Sequence, residues 1–283
     1  MEKWGKTGEK IKKCGLWQVK QFIPFPIHPL YRLVNPINTP ILFRQNTNKE
    51  KKKEKEKKDE KELFEERKKY YYINSIGSDE VGTGDFFGPV VVTASYVSKD
   101  NIPFLEELGV RDSKKLTDQK ILEVVPKIIK KIPYETVIYT NTDYNNHPEY
   151  NMNKVKAILH NKAILRLMKK NNFNYDKVVI DQFCYPRNYF GYLKESSNVF
   201  RKIDFTTKAE DKCLSVACGS LISRYVFIKE MDKISKMLGV PVPKGAGIKV
   251  DEFGKEIVKK YGKDILKKTA KLNFKNTDKI LKD

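Results

Sequence analysis

Histidine and cysteine are scarce here, three and four residues in a chain of 283. The cysteines, Cys14, Cys184, Cys213 and Cys218, form no CxxC pair and no Cys/His cluster with zinc-ligand spacing, which excludes a zinc finger or ribbon and leaves four reduced, mostly buried thiols. Long apolar runs are missing as well. No stretch approaches the roughly 20 residues that span a bilayer, and the opening MEKWGKTGEKIKKCGLW lacks the continuous apolar core of a secretory signal. The expectation is a cytoplasmic protein with no membrane segment. Acid is in short supply too: 36 Asp+Glu stand against 56 Lys+Arg, a formal net charge of +20. Such an excess suits a polyanionic partner, because clustered Lys and Arg gain affinity by releasing the counterions condensed on phosphates. A lysine-rich compositional bias is the alternative, and composition alone does not separate the two.

Along the chain, residues 1–48 are basic and broken by Pro24, Pro26, Pro29, Pro36 and Pro40, which leaves little room for a long helix. Residues 49–69, centred on NKEKKKEKEKKDEKELFEERKK, mix charges with almost no apolar residues and read as a linker. From residue 70 to 283 apolar segments alternate. YYINSIGSD, VVVTASYV and YETVIYT have strand character, and DKVVIDQF reads as a buried parallel strand. LTDQKILEVVPKIIKKI is helical in period, with Pro126 expected to bend or split it. MNKVKAILHNKAILRLMKKN, EDKCLSVACGSLISRYVFIKEMDKISKML and DEFGKEIVKKYG predict further helices, and the tail NTDKILKD another. Strand pairs followed by alternating helix and strand predict an α/β domain with a mixed sheet flanked by helices.

The acids that remain are unevenly placed. Asp79 and Glu80 close a predicted strand within GSDEVGTGDFFGP. Successive strand residues point to opposite faces, so two that meet at one site are expected to sit where the backbone leaves strand geometry, with Gly82 and Gly84 supplying the freedom. Asp181 ends KVVID, where another buried strand emerges, and acids at strand ends converge on the binding edge of an α/β sheet. Glu210 is expected at the start of the long helix, where the dipole tolerates its charge. An all-oxygen donor set of this kind suits Mg²⁺ or Mn²⁺ and phosphoryl-transfer chemistry. Each acid also has a plainer reading, as a turn residue or a helix-initiating acid. Asp85, Asp112, Asp204 and Asp211 are rivals that spacing does not eliminate.

Taken in order, GSDEVGTGDFFGPVVV, VRDSKKLTD, YNMNKVKAILHNKAI, VVIDQF, TTKAEDKCLSVACGSLISRY and PKGAGIKVDEF resemble bacterial ribonuclease HIII, a branch of the type 2 ribonucleases H, from about Asn74 to the C-terminus. The resemblance implies a ribonuclease H-like fold and endonucleolytic hydrolysis of the RNA strand of RNA/DNA hybrids, leaving 5'-phosphate and 3'-hydroxyl ends. It places the family's metal-holding quartet on Asp79, Glu80, Asp181 and Glu210, with Asp85 reduced to a turn or supporting residue. Gly82, Thr83 and Gly84 resemble the family's sensor of the ribonucleotide, whose 2'-hydroxyl both donates and accepts a hydrogen bond. Ser113, Lys114 and Lys115 resemble a phosphate-contacting loop, against which a solvated charge pair is the plainer reading. His160 and Asn161 are expected to be packed or hydrogen-bonded helix residues.

Two departures from the family pattern stand out. Gly219 occupies a position that is usually alanine, a change expected to loosen the long helix by about 1 kcal/mol. The family also carries a TATA-binding-protein-like domain before the catalytic one, whereas residues 1–48 are too few for a complete copy and suggest at most a reduced substrate-binding module. The leading expectation is a monomeric hybrid endonuclease with no obligate protein partner. Cleavage at single ribonucleotides in DNA, as in ribonuclease HII, and a non-catalytic hybrid-binding role are the alternatives; the threonine of GTG and Glu210 weigh against the first, and the intact quartet against the second.

Overall fold

In the computed structural model, residue 61, residues 64–65 and residues 68–282 are described, so residues 1–48 and most of the predicted linker 49–69 lie outside them. Five strands form one sheet: β1 (Ser75–Val81), β2 (Val90–Val97), β3 (Tyr134–Tyr139), β4 (Lys177–Asp181) and β5 (Asp204–Thr206). Their order is β3-β2-β1-β4-β5. The first three pair antiparallel, while β4 runs parallel to β1 and β5 parallel to β4. This is the mixed sheet that the sequence pattern predicts. The helices in chain order are α1 (Ile102–Glu107), α2 (Asp118–Ile128), α3 (Asn141–Asn145), α4 (Met152–Lys170), α5 (Pro186–Tyr192), α6 (Leu214–Leu238), α7 (Ile248–Tyr261), α8 (Ile265–Thr269) and α9 (Lys275–Leu281). No helix among the described residues is long and apolar enough to cross a membrane.

Alternation along β1 sorts its side chains into two layers. Ile76, Ser78 and Glu80 face α4: Ile76 packs with Val155, Leu159 and Ile164, and Ser78 and Glu80 both bond His160 of that helix. Ser75, Gly77 and Asp79 face α6, where Ser75 Oγ lies 2.8 Å from Ser215 Oγ and Ser223 Oγ donates to the Asp79 carbonyl at 3.1 Å. On the α6 side a second core joins Leu105 of α1 and Ile121, Val125 and Ile128 of α2 to Leu214, Leu221 and Ile222. A third core gathers Phe86 and Phe87 from the β1–β2 turn with Phe227 and Met231 of α6 and Val250, Ile257 and Ile280 of the C-terminal helices.

Side-chain caps start three of the helices. Thr117 caps α2 by accepting from the Lys120 amide, and Asn151 caps α4 by accepting from Lys154. Helix α2 runs through Pro126 without splitting and stops at Ile128, two residues later. Two expectations need correction. Strand β1 does not end at the acidic pair: Asp79 pairs with Thr93 and Glu80 with Val92 in an unbroken ladder through Val81. Glu210 does not begin the long helix; it sits in a separate 3₁₀ turn, Ala209–Asp211, held in place by Lys208 at a positive φ of 53°.

Gly219 has a packing reason that its sequence position does not reveal. A Cβ there would lie 2.8 Å from the Thr93 carbonyl oxygen and 3.4 Å from the Asp79 amide, so its absence lets α6 lie directly on the strands that carry the acids.

Candidate active site at the sheet edge

The parallel pairing of β1 and β4 sets Ser78 beside Ile180, which brings the next residues, Asp79 and Asp181, to the same sheet edge. The Ala209–Asp211 turn follows β5 and closes that edge: the Ala209 amide donates to Asp181 Oδ1 at 2.8 Å, so Glu210 stands next to the Asp181 carboxylate. Electrostatics record the proximity. Burial, reinforced by the charge of Glu80 and to a lesser degree Asp181, pushes the Asp79 carboxyl up to about 8, against a hydrogen bond from Ser220. Burial also raises Asp181; the Ala209 amide opposes the shift, and the charges of Glu210 and Glu80 add to it.

Glu80 is the exception. Burial works against its ionisation, yet His160 and Lys156 outweigh that penalty and hold its carboxyl below the usual range. His160 is fully buried between Ser78 Oγ, 2.8 Å from its Nδ1, and Glu80 Oε2, 2.9 Å from its Nε2, and its ring stacks on Phe183 with centroids 5.5 Å apart. Lys156, one turn earlier on α4, forms an ion pair with Glu80 Oε1 and lies 4.0 Å above the Phe183 ring. Lys114 forms an ion pair with Glu210 Oε1 and reaches Asp211 Oδ2 at 3.0 Å, while Glu210 Oε2 is buried with no hydrogen-bond partner.

These facts test whether a divalent cation suits the site. Four carboxylates share one edge, two of them held protonation-prone by burial and mutual repulsion, and a third leaves a buried oxygen unsatisfied. That donor set is short of positive charge, and a hard dication would supply it. Among the described residues no three carboxylate, histidine or cysteine side chains converge at metal-ligand distances, because Glu80 and Glu210 are turned onto Lys156 and Lys114 instead. The two ammonium groups balance the acids where a dication would otherwise do so.

The GTG turn divides by role. Gly82 is buried at φ 94°, and a Cβ would fall 2.2 Å from the Pro89 carbonyl, so only glycine fits. Thr83 is half-buried, and Gly84 is exposed with open space where a Cβ would project. Behind the turn, Asp85 Oδ1 accepts from the Gly245 amide at 2.6 Å, and the buried Lys271 Nζ donates to the Asp85 carbonyl at 2.7 Å and to the Gly88 carbonyl at 2.5 Å. In the Val110–Lys115 turn Ser113 is buried, Lys114 reaches the acids as described, and exposed Lys115 bonds Asp112 at 2.8 Å. Asn161 ties α4 to the loop ahead of β5, donating to the Asn198 carbonyl and accepting from the Phe200 amide. Lys156 and Lys271 escape the sequence reading. The i, i+4 spacing of Lys156 and His160 was available as a signal; the buried partner of Lys271 was not.

The family model for ribonuclease HII matches residues 76–277. A ribonuclease HIII of Phytoplasma mali is 50% identical over 181 residues, 63% of this chain and 62% of that protein. Its counterpart in Bacillus subtilis is 46% identical over 186 residues, 65% of this chain and 59% of that protein. A ribonuclease HIII of Staphylococcus aureus is 42% identical over 240 residues, 84% of this chain and 76% of that protein. The chain thus matches about three fifths of the length of the first two relatives. The crystal structure of Bst-RNase HIII in complex with Mn²⁺ superposes with a TM-score of 0.72 and 39% identity, covering 74% of this chain and 70% of that one. A matched model over most of the chain, a mixed sheet of the same fold and the ordered motifs agree, and the chain belongs to the ribonuclease HII family, on its ribonuclease HIII branch.

Proposed function

We propose that the protein is an endonuclease that hydrolyses the RNA strand of RNA/DNA hybrids with the help of Mg²⁺ or Mn²⁺, leaving 5'-phosphate and 3'-hydroxyl ends. The single observation that carries this reading is that Asp79, Glu80, Asp181 and Glu210 lie near one another where β1 and β4 end, short of direct convergence, in a chain of net charge +20. These four carboxylates would hold the cations, which when bound polarise a phosphodiester and activate water. The Mn²⁺ complex of Bst-RNase HIII supports a divalent ion. Around the ions the chain's own groups have separate tasks. His160 and Ser78 fix the Glu80 carboxylate in one orientation, and the Ala209 amide does the same for Asp181. Gly84 presents unobstructed backbone to a ribose 2'-hydroxyl, while Gly82 sets the turn that carries it. Lys114, beside Glu210, and Lys115, exposed on the same turn, serve as phosphate contacts. The setting is a monomeric chain in a reducing, cytoplasmic compartment, in line with three free cysteines among the described residues.

Labelled RNA/DNA hybrid, duplex DNA with one ribonucleotide and RNA/RNA duplex, each incubated with Mg²⁺ or Mn²⁺, test the reading. Hybrid cleavage at several RNA positions is expected. Cleavage confined to the single-ribonucleotide junction, or none at all, overturns it. Asp79→Asn is expected to lower the hybrid cleavage rate by at least about a thousandfold, ~4 kcal/mol of barrier, while hybrid binding in chelator stays near the wild-type value; retained cleavage removes Asp79 from the assignment.

A further inference from the structure

Beyond the acidic edge, the chain leaving β4 builds a second feature. Phe183, two residues after Asp181, stacks on His160, and Tyr189 of α5 packs edge-on against Phe183, Phe190 and Phe205 at centroid distances of 6.2, 5.2 and 5.1 Å. This aromatic cluster seats α5 on the same layer that orients Glu80. On its outer side an open groove of about 800 Å³ is lined by Arg187, Asn188, Phe190, Tyr192, Lys194 and Arg201. Arg187, Lys194 and Arg201 are exposed, and among the described residues none of them pairs with a carboxylate. Arg201 lies over the Phe190 ring, 5.6 Å from its centroid. That cation–π contact leaves the guanidinium N–H groups available to an oxyanion.

Unpaired like charges kept together cost self-repulsion, which a polyanion would relieve. The cations line an open groove of about 800 Å³ and not an enclosed pocket, which fits a run of phosphates better than a single small anion. We infer that this groove is a second nucleic-acid contact, holding the phosphodiester backbone of the duplex away from the scissile bond through Arg187, Lys194 and Arg201. The inference rests on the hybrid-substrate reading above. It adds a binding track built on α5 and the segment that follows it.

The test is binding of a labelled RNA/DNA hybrid to the full chain, followed by fluorescence anisotropy across a potassium chloride series with EDTA present, so that no strand is cut. The triple variant R187Q/K194Q/R201Q is compared with K127Q/K130Q/K131Q, which removes the same charge from exposed lysines at and beyond the end of α2, on the opposite face of the sheet. Thermal melting checks that both are folded. Three lost phosphate contacts predict a salt slope of log K against log[salt] that is shallower by between about 2 and 3 in the groove variant, with the control slope unchanged. A groove variant whose slope equals the wild-type value, or a control that loses as much, overturns the proposal. Because binding is read without turnover, a wild-type chain that binds hybrid but does not cut it would refute the enzymatic reading and leave the groove result intact. One that binds no hybrid refutes the groove.

Discussion

At the scale of single residues, Lys271 shows how much one buried ammonium can organise. It is fully buried, and the charge of nearby Asp85 does not offset the burial that pulls the amine down to about 7. The folded state therefore binds its proton less tightly than the unfolded chain, where a lysine titrates near 10.4. Stability from this group is complete above that unfolded value and is lost as pH falls from there through about 7, since the unfolded state holds more protons across that window. Lys271→Met removes the titration and strands the carbonyls of Asp85 and Gly88, about 1–3 kcal/mol for each unsatisfied group. The variant is expected to melt below the wild type at every pH, and the gap should widen between pH 7 and 10. A gap that narrows over that range would show that the amine is not the titrating group. Nothing in the local sequence AKLNF distinguishes this lysine from the 56 Lys+Arg of the chain, because its role depends on a turn nearly two hundred residues earlier.

At the scale of elements, the β1–β2 connection separates shape from recognition. Gly82→Ala forces a side chain into a positive-φ position and onto the Pro89 carbonyl, a loss expected at about 2 kcal/mol and visible as a lower melting temperature. Gly84→Ala meets no neighbour, so melting should be unchanged while kcat/KM on hybrid falls about tenfold, equivalent to ~1.4 kcal/mol. Equal melting losses in both would contradict the division. Many of the strands and helices were legible in hydrophobic period: β2, β3, α4, α7 and α9 fall close to where their patterns put them, whereas the short elements α1, α3, α5, α8 and β5 carried no expectation. The acidic pair was misread in one respect. Period 2 alone says that Asp79 and Glu80 point apart, and they do; the site forms because neighbouring elements reach the edge from both faces, which no local pattern encodes. Glu210 was likewise assigned to α6, since an acidic 3₁₀ turn and a helix start look the same in sequence.

At the scale of the whole molecule, the described residues 68–282 supply three hydrophobic cores. A chain starting at residue 61 is therefore expected to melt within a few degrees of the full protein and to cut hybrid at the same rate when substrate is saturating, with KM raised if residues 1–48 contribute binding. A large drop in melting temperature would show instead that the domain needs its N-terminal part. Which residues would gather around the acids was only partly visible beforehand: the ordered motifs imply a quartet, but the pairing of Glu80 with Lys156 and His160 depends on how α4 lies across the sheet. That arrangement carries a mechanical consequence. Asp79 is anchored to the α6 layer and its chain neighbour Glu80 to the α4 layer. The gap between two consecutive carboxylates is thus a gauge of how firmly two separate slabs grip one strand, and repacking either slab far from the edge would register first as a change in turnover.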